Sequence, residues 1–381
     1  MLTYVIPTHD RPEQLALTLA ALASTDQGPV RDLLGGAEVI IVDNASRFPA
    51  TAPPTLRNGL PVRVIYRAVN EGAAGRNAAA LSAAGRSSDP NHWLLMLDDD
   101  SAPLDGGFAE ALASASEDVA AVAADIFLKP GGPRESGGLP EVFVGCGVAI
   151  RRNVFLSQGG YDPSFGYYAE EYDLAARFLL AGYRVVHDPR FRVQHRKSAE
   201  GRDMNRVLRN LVRNNACVVQ RYAPERVCPG ELTRIIDRYR EIAVREHAMH
   251  GYEEGVADLY SIIERQPRRE MSDELYDRFT GAAHCRASLR EEFTSRGVTA
   301  VALVDPPGGA VPKHRDLVES IVRELGVSIV PAARAQALVI ATLSPGPMLD
   351  AATALATGAA VPVLKPWNIE PAPRRSLATA A

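Results

Sequence analysis

Three consecutive carboxylates, Asp98-Asp99-Asp100, directly follow the apolar run Trp93-Leu94-Leu95-Met96-Leu97. If that run is a buried strand, the three acids crowd together at the carboxyl edge of a sheet, where like charges repel unless a cation offsets them. A hard divalent ion, Mg²⁺ or Mn²⁺, suits such a site, with one or two carboxylates as ligands and diphosphate oxygens or water completing the shell. The plainer alternative is an acidic turn that caps a following helix. A second acidic group, Glu170-Glu171-Tyr172-Asp173, opens a helical pattern. Acids in a first turn complement the helix dipole without any further role, but the helix also fixes the direction of a carboxylate that takes part in proton transfer.

The elements that must position these groups are legible as short apolar runs: Tyr4–Ile6, Val39–Val42, Val62–Tyr66, Trp93–Leu97 and Val119–Ala123. Each is apolar on both faces, as strands covered by helices on either side are. Between them, Leu15, Leu19 and Leu22 share one face of a helix opening near Pro12, and an alanine-rich helix runs from about Gly75 to Ala84. Strand and helix in alternation predict a mostly parallel α/β sheet, with ligands beyond the carboxyl ends of its strands. A further helix spans Glu170–Ala181, with Gly182 as its stop, and a short strand follows at Arg184–His187.

Beyond residue 202 the pattern changes twice. Residues 203–296 read as a helical extension, and 297–370 as a small α/β unit with strands at Ala300–Val304, Val327–Val330, Ala337–Ala341 and Val361–Leu364 and helices at Arg315–Leu325 and Met348–Thr357. That unit resembles half of a Rossmann-like domain but lacks Gly-x-Gly-x-x-Gly after its first strand, so acceptor recognition or association into a homo-oligomer is expected of it rather than phosphate binding. Residues 371–381, rich in Ala, Pro and Arg, read as a disordered tail.

Composition narrows the function classes. With 381 residues, 46% hydrophobic and 23% charged, the chain has enough apolar material for two or more packed units, and a net charge of −4 leaves no basic surface for nucleic acid. The four cysteines, Cys146, Cys217, Cys228 and Cys285, are scattered and contain no Cys-x-x-Cys pair, so they read as reduced thiols. Met1–Pro7 enters a strand without a basic leader or apolar core, and no run reaches the ~18 apolar residues of a membrane span. A cytoplasmic location is expected on both counts.

Four motifs in order resemble family 2 of the inverting glycosyltransferases with the GT-A fold. They are the opening Val5-Ile6-Pro7-Thr8-His9-Asp10-Arg11, the second strand Val39–Ser46, the loop Asn70-Glu71-Gly72-Ala73-Ala74-Gly75-Arg76-Asn77-Ala78, and Asp98-x-Asp100 after its strand. Together they cover roughly residues 1–202, the expected GT-A nucleotide-sugar-binding domain. The resemblance implies that Pro7, Thr8 and Arg11 line the nucleotide pocket, that Asp43 accepts from the base imide, and that Arg76 lies near base or phosphates. Asp98 and Asp99 then face ribose or sugar, and Asp100 ligates Mn²⁺ or Mg²⁺. Gly145-Cys146-Gly147 resembles a segment under the donor sugar, with Gly147 close to the ligand. For an inverting transfer Glu171 stands where the family has its base, with Glu170 and Asp173 as alternatives, although Glu replaces the usual Asp. His195, in Phe191-Arg192-Val193-Gln194-His195-Arg196-Lys197, is implied as a second metal or diphosphate ligand, with Arg196 and Lys197 as counter-charges; His9 has a weaker claim.

The resulting expectation is a metal-dependent hexosyltransferase moving a sugar from a UDP- or dTDP-sugar donor to a hydroxyl or amine of a small-molecule, natural-product or glycan acceptor. The Ala/Arg bias suggests a GC-rich bacterial genome and a secondary-metabolite acceptor. Two alternatives are a sugar-phosphate nucleotidyltransferase, which would open on a glycine-rich basic loop rather than Pro7–Pro12, and a non-catalytic nucleotide-sugar-binding protein.

Overall fold

The computed structural model describes residues 1–85, 88–197, 203–309 and 311–369. The expected boundary at residue 202 and the tail 371–381 lie outside them. The first part of the chain runs β1 (Leu2–Thr8), α1 (Pro12–Leu22), α2 (Gly28–Leu34), β2 (Ala37–Asp43), β3 (Val62–Tyr66), α3 (Arg76–Ser82), β4 (Trp93–Met96), β5 (Ser101–Pro103), α4 (Phe108–Ser114), β6 (Val119–Phe127), β7 (Val148–Arg151), α5 (Arg152–Ser157), α6 (Glu170–Leu180) and β8 (Arg184–His195). Five helices follow, α7 (Met204–Tyr222), α8 (Cys228–Arg245), α9 (Met249–Ile262), α10 (Asp273–Thr280) and α11 (Ala282–Arg296). The last part is β9 (Ala300–Val304), α12 (Pro312–Glu324), β10 (Ser328–Ile329), β11 (Ala337–Ile340), α13 (Pro345–Ala356) and β12 (Val363–Leu364).

Eight strands form one sheet in the order β3-β2-β1-β4-β7-β6-β8-β5, and within it β7 and β5 run against the other six. The register pairs Thr8 with Asp43 and Val5 with Met96, so β1, β2 and β4 all end on one edge. Successive side chains divide between two buried layers. Val5, Ile40, Val42, Leu94 and Met96 face one, while Tyr4, Ile6, Val39, Ile41 and Leu95 face the other with α1, α2 and α4. This period of two, with both faces apolar, is what a sheet covered by helices on either side requires.

Local chemistry sets the helix ends. Pro12 supplies the first residue of α1, the Asp203 carboxylate accepts from the amides of Asn205 and Arg206 to start α7, and Pro224 follows its end at Tyr222. At the end of α6, Gly182 takes the left-handed conformation (φ 83°) that closes a helix.

The second sheet has four parallel strands in the order β10-β9-β11-β12. Its buried residues Val301 and Val339, with Val318 of α12, belong to the same apolar cluster as β1, α6 and α7, so the core is continuous between the sheets. The contact is also polar. Asp350 accepts from the backbone amide and Nη1 of Arg134, each at 2.8 Å, and Ser344 Oγ both accepts from the Gly137 amide (2.9 Å) and donates to the Gly137 carbonyl (2.8 Å). A Cβ on Gly346 would lie 2.1 Å from the Glu135 carbonyl oxygen, so only glycine fits there. Among the described residues no helix is long and apolar enough to cross a membrane.

Candidate active site

The acidic run sits in a tight turn after β4. Ser101 Oγ accepts from the Asp98 amide (2.9 Å) and donates to the Cys146 carbonyl (2.9 Å), which fastens the turn to the loop before β7. From there the carboxylates diverge. Asp98 pairs with the buried Arg76, which also donates to the Leu97 carbonyl at 3.1 Å. Asp99 accepts from Thr8 Oγ1 (2.9 Å) and Arg11 Nη1 (2.5 Å), while Asp100 accepts from Arg11 Nη2 (2.7 Å). Pro7 belongs to the same end of β1.

His195, the last residue of β8, extends the cluster. Its Nε2 lies 3.3 Å from Asp100 Oδ1, an ion-pair contact without hydrogen-bond alignment, since that oxygen is buried with no hydrogen-bond partner. Its Nδ1 lies 2.9 Å from Glu135 Oε2, and the other Glu135 oxygen accepts from Lys197 Nζ at 2.8 Å. The repulsion that the sequence alone would assign to a metal is therefore relieved by side chains: Arg11, Arg76, His195 and Lys197 stand among Asp98, Asp99, Asp100 and Glu135.

The pKa values follow. Burial drives Asp99 up to about 6, against the pull of Arg11 and Thr8. Burial acts the same way on Asp100, but His195 and Arg11 outweigh it and hold that carboxyl well below the usual range. Glu135 likewise overcomes burial through His195 and Lys197 and falls to about 2. His195, which burial alone would depress, is pushed up to about 12 by Asp100, Cys146 and Glu135.

One donor set converges enough to hold an ion: oxygen of Asp98, Sγ of Cys146 and nitrogen of His195 lie within 4.8 Å of one another. The unpartnered buried Asp100 oxygen borders it. Cys146 is buried, and burial lifts its thiol to about 11 while His195 opposes the rise. These residues fit a divalent cation that would replace the proton on His195.

The second acidic group adjoins the same cluster, since Arg76 and Asp98 act electrostatically on both Glu170 and Glu171. Glu171 Oε1 accepts from the Gly145 amide (3.2 Å), and a Cβ on Gly145 would come within 2.9 Å of that oxygen. Gly145 is thus the glycine that adjoins an acid, whereas Gly147 packs against Ile126 and Ala124. Glu170 is buried with Oε2 unpartnered, and burial followed by repulsion from Glu171 raises its pKa well above the usual range. Burial also raises Glu171. Before them, Tyr168 (φ 75°) and Ala169 (φ 65°) are both left-handed, a costly pair for residues with a Cβ. The buried Asn214 of α7 holds this bend, its Nδ2 lying 2.9, 2.9 and 2.7 Å from the carbonyls of Phe165, Tyr167 and Tyr168.

Other expected site residues are engaged within the fold. Asp43 accepts from the amides of Ser46 (2.8 Å) and Ala50 (2.7 Å), so both oxygens shape the loop after β2. Asp173 has no exposed surface and is held by Arg177, Arg221 and Tyr222. His9 Nδ1 lies 2.8 Å from the Asn44 carbonyl. Lys197 meets Glu135, and Arg196 donates to Thr18 Oγ1. Cys146, Glu135, Gly145 and Asn214 were not singled out from the sequence as groups acting in this cluster. The only local signal was the Gly-Cys-Gly triplet around Cys146.

A model of the glycosyl transferase family 2 matches residues 3–168. This segment belongs to glycosyl transferase family 2. In the family 2 segment lie β1, the loop 70–78, the Asp98–Asp100 turn and Cys146; it stops at Tyr168, so Glu170, Glu171 and His195 follow it. Similar solved structures include GalNAc-T7 with UDP, GalNAc and Mn²⁺ (18% identity, 59% of this chain and 48% of that one, TM-score 0.45). Others are the mannosyltransferase PcManGT from Pyrobaculum calidifontis with GDP-Man and Mn²⁺ (16%, 77% and 82%, TM-score 0.43) and residues 1–349 of S. aureus TarS with UDP (16%, 78% and 91%, TM-score 0.40). The alignment spans about half the length of the GalNAc-T7 chain. Among curated proteins none matches the chain.

Proposed function

We propose that this chain is an inverting glycosyltransferase that moves a sugar from a UDP- or dTDP-sugar to a hydroxyl or amine of a small-molecule, natural-product or glycan acceptor. One observation supports the reading: two acidic groups far apart in sequence meet at one loop, residues 145–147. Glu171 is bonded to the amide of Gly145, and the next residue, Cys146, shares a 4.8 Å cluster with Asp98 and His195. Residues 1–202 would bind the donor, 203–296 form a helical buttress and 297–370 an accessory unit.

In this reading Pro7, Thr8, Arg11, Asp43, Arg76, Asp98, Asp99 and Gly147 form the donor side. Asp100 and His195, joined by Asp98 and Cys146, would hold the cation, and an imidazole and thiol in the set favour Mn²⁺ over Mg²⁺. Such an ion supplies positive charge where the diphosphate departs. The acceptor oxygen attacks the anomeric carbon as the bond from that carbon to the diphosphate oxygen breaks. Glu171 takes the acceptor's proton, and its raised affinity for protons suits a general base. Asp173, fully bonded, is left a structural role, and Glu170 supports Glu171.

The test is a panel of UDP- and dTDP-sugars assayed with and without Mn²⁺. Asp100→Ala should abolish metal-dependent turnover, whereas Glu171→Gln should leave donor binding within about twofold and remove transfer. Equal loss of donor binding in both variants refutes the division of roles, and donor binding without turnover in the wild type leaves a binding protein.

A further inference from the structure

A polar recess of about 360 Å³ opens beside the loop that carries Glu170 and Glu171, between Asn70 and Gly72 on one wall, Pro163–Tyr167 on the other and α7 as its floor. The two walls touch through backbone: the Ala73 amide donates to the Gly166 carbonyl at 2.8 Å. A Cβ on Gly72, whose φ is +61°, would come within 2.3 Å of that oxygen. From α7 three side chains line the recess, Arg206, Asn210 and Arg213, spaced four and three residues apart and therefore on one helix face.

Both charged groups lining it are arginines, and no acid lines it. Arg213 gives its Nε to the Asn214 amide oxygen (2.8 Å) and Nη2 to the Phe165 carbonyl (3.2 Å), neutral partners that hold the guanidinium in place without cancelling its charge. Among the described residues neither Arg206 nor Arg213 forms an ion pair. The contrast on the same helix is direct, since Arg209 meets Asp258 and Glu254, and Arg221 meets Asp162 and Asp173. Arg209 and Arg221, which flank this face of α7, are matched by acids, whereas Arg206 and Arg213, which line the recess, are not. Tyr167 connects the recess to the carboxylates, for its half-buried phenol lies in the fields of Arg76 and Asp98.

We propose that this recess seats a phosphate group carried by the acceptor, so that the acceptor is a phosphate-bearing molecule whose free hydroxyl reaches Glu171 past Tyr167. The assignment of the group to the acceptor rests on the transferase reading. Two guanidinium groups with the amides of Asn70 and Asn210 supply the many-donor, positively charged setting that a phosphate takes. The same chemistry could serve the donor's own diphosphate, and the experiment separates the two sources.

Binding of inorganic phosphate to the full chain is measured by titration calorimetry, with and without saturating UDP and Mn²⁺, for wild type, Arg206→Glu and Arg206→Lys. Arg206 is exposed and among the described residues its side chain forms no hydrogen bond or ion pair, so both variants are expected to fold. The expected result is phosphate binding that survives UDP, weakens about tenfold or more in Arg206→Glu and largely returns in Arg206→Lys, with UDP affinity unchanged throughout. Phosphate binding that is absent in the wild type, indifferent to Arg206→Glu, or displaced one for one by UDP overturns the proposal. If UDP does not bind the wild type but Arg206-dependent phosphate binding remains, the donor reading fails and the anion site stands.

Discussion

The described residues form two sheets, one mostly and one wholly parallel, and the carboxyl edges of their parallel strands are finished in opposite ways. At the large sheet, β1 and β4 end in Thr8 and the Asp98–Asp100 turn, where acids, arginines and a histidine face one another around an unpartnered carboxylate oxygen. At the small sheet, β9 ends in Asp305, an exposed partner of Arg315, and β11 runs into Thr342-Leu343-Ser344, buried and bonded to the first part of the chain. The difference teaches that the α/β pattern alone says where loops gather, not what they do. One edge concentrates titratable groups whose charges are balanced only by one another; the other spends its polar atoms on holding the loop that contains Glu135.

The contrast can be broken from either side. The largest effect is expected at the acidic edge, where Glu171→Gln should cut turnover on the order of 10³-fold, about 4 kcal/mol in the barrier, with little change in melting temperature. A comparable loss of stability would make Glu171 part of the scaffold instead. Next comes Gly346→Ala, whose new methyl would meet the Glu135 carbonyl; overpacking of this kind costs about 3 kcal/mol in a denaturant titration. If the small sheet braces the Glu135 loop, activity must fall with it at temperatures where the variant is still folded.

A pH experiment tests the seam between the sheets. His187 of β8 is buried against Trp367 (ring centroids 5.4 Å apart), and its Nε2 is 2.9 Å from the Leu139 carbonyl. Burial lowers its pKa to about 4. Because the unfolded chain binds that proton nearer pH 6.5, the stability held by the neutral ring is complete above about 6.5 and drains away as pH falls toward 4. Wild type should therefore lose about 2 kcal/mol more than His187→Gln between pH 6.5 and 4.5. Parallel curves would show that the seam does not titrate.

The smallest effect is expected for Asp350→Ala, about 1 kcal/mol by the loss of two partly exposed bonds, from the amide and from Nη1 of Arg134. Its value lies in the activity readout. A drop in turnover beyond the stability change would show that the brace reaches the site, and an unchanged rate would reduce the small sheet to a passenger.

Much of this was legible in the residues. The five expected strands of the large sheet appear, because continuous apolar runs buried on both faces leave four of them little alternative, whereas β3, with Arg63 and Tyr66 exposed, sits at the sheet's edge. The helices opening near Pro12 and Glu170 appear for the same reason, with proline and glycine marking their ends. The short helices Gly28–Leu34, Phe108–Ser114 and Arg152–Ser157 were missed, since two turns or fewer cannot display a helical period. The strand expected at Arg184–His187 continues to His195, past Pro189, and the polar residues along it hid that extension.

At the site, the grouping of Asp98, Asp99, Asp100, Arg11 and Arg76 could be anticipated because each closes a strand or opens a loop at one edge. The approach of Cys146 to His195, and of Glu135 to both His195 and Lys197, could not. Those residues lie in irregular segments or on different strands, and only the packing of β6, β7 and β8 brings them together. Asp173 illustrates the converse: its sequence position matches that of an acid in a helix's first turn, yet its direction along α6 turns it into a bonded core.

The grip of Ser344, Gly346 and Asp350 on residues 134–137 has a mechanical consequence. Arg134 and Gly137, on either side of Glu135, are bonded to the small-sheet unit, while the Glu135 amide and carboxylate are bonded to Ile126, His195 and Lys197, so Glu135 acts as a coupling pin between the two. A load applied at Ser344 or Asp350 thus has a bonded route to His195.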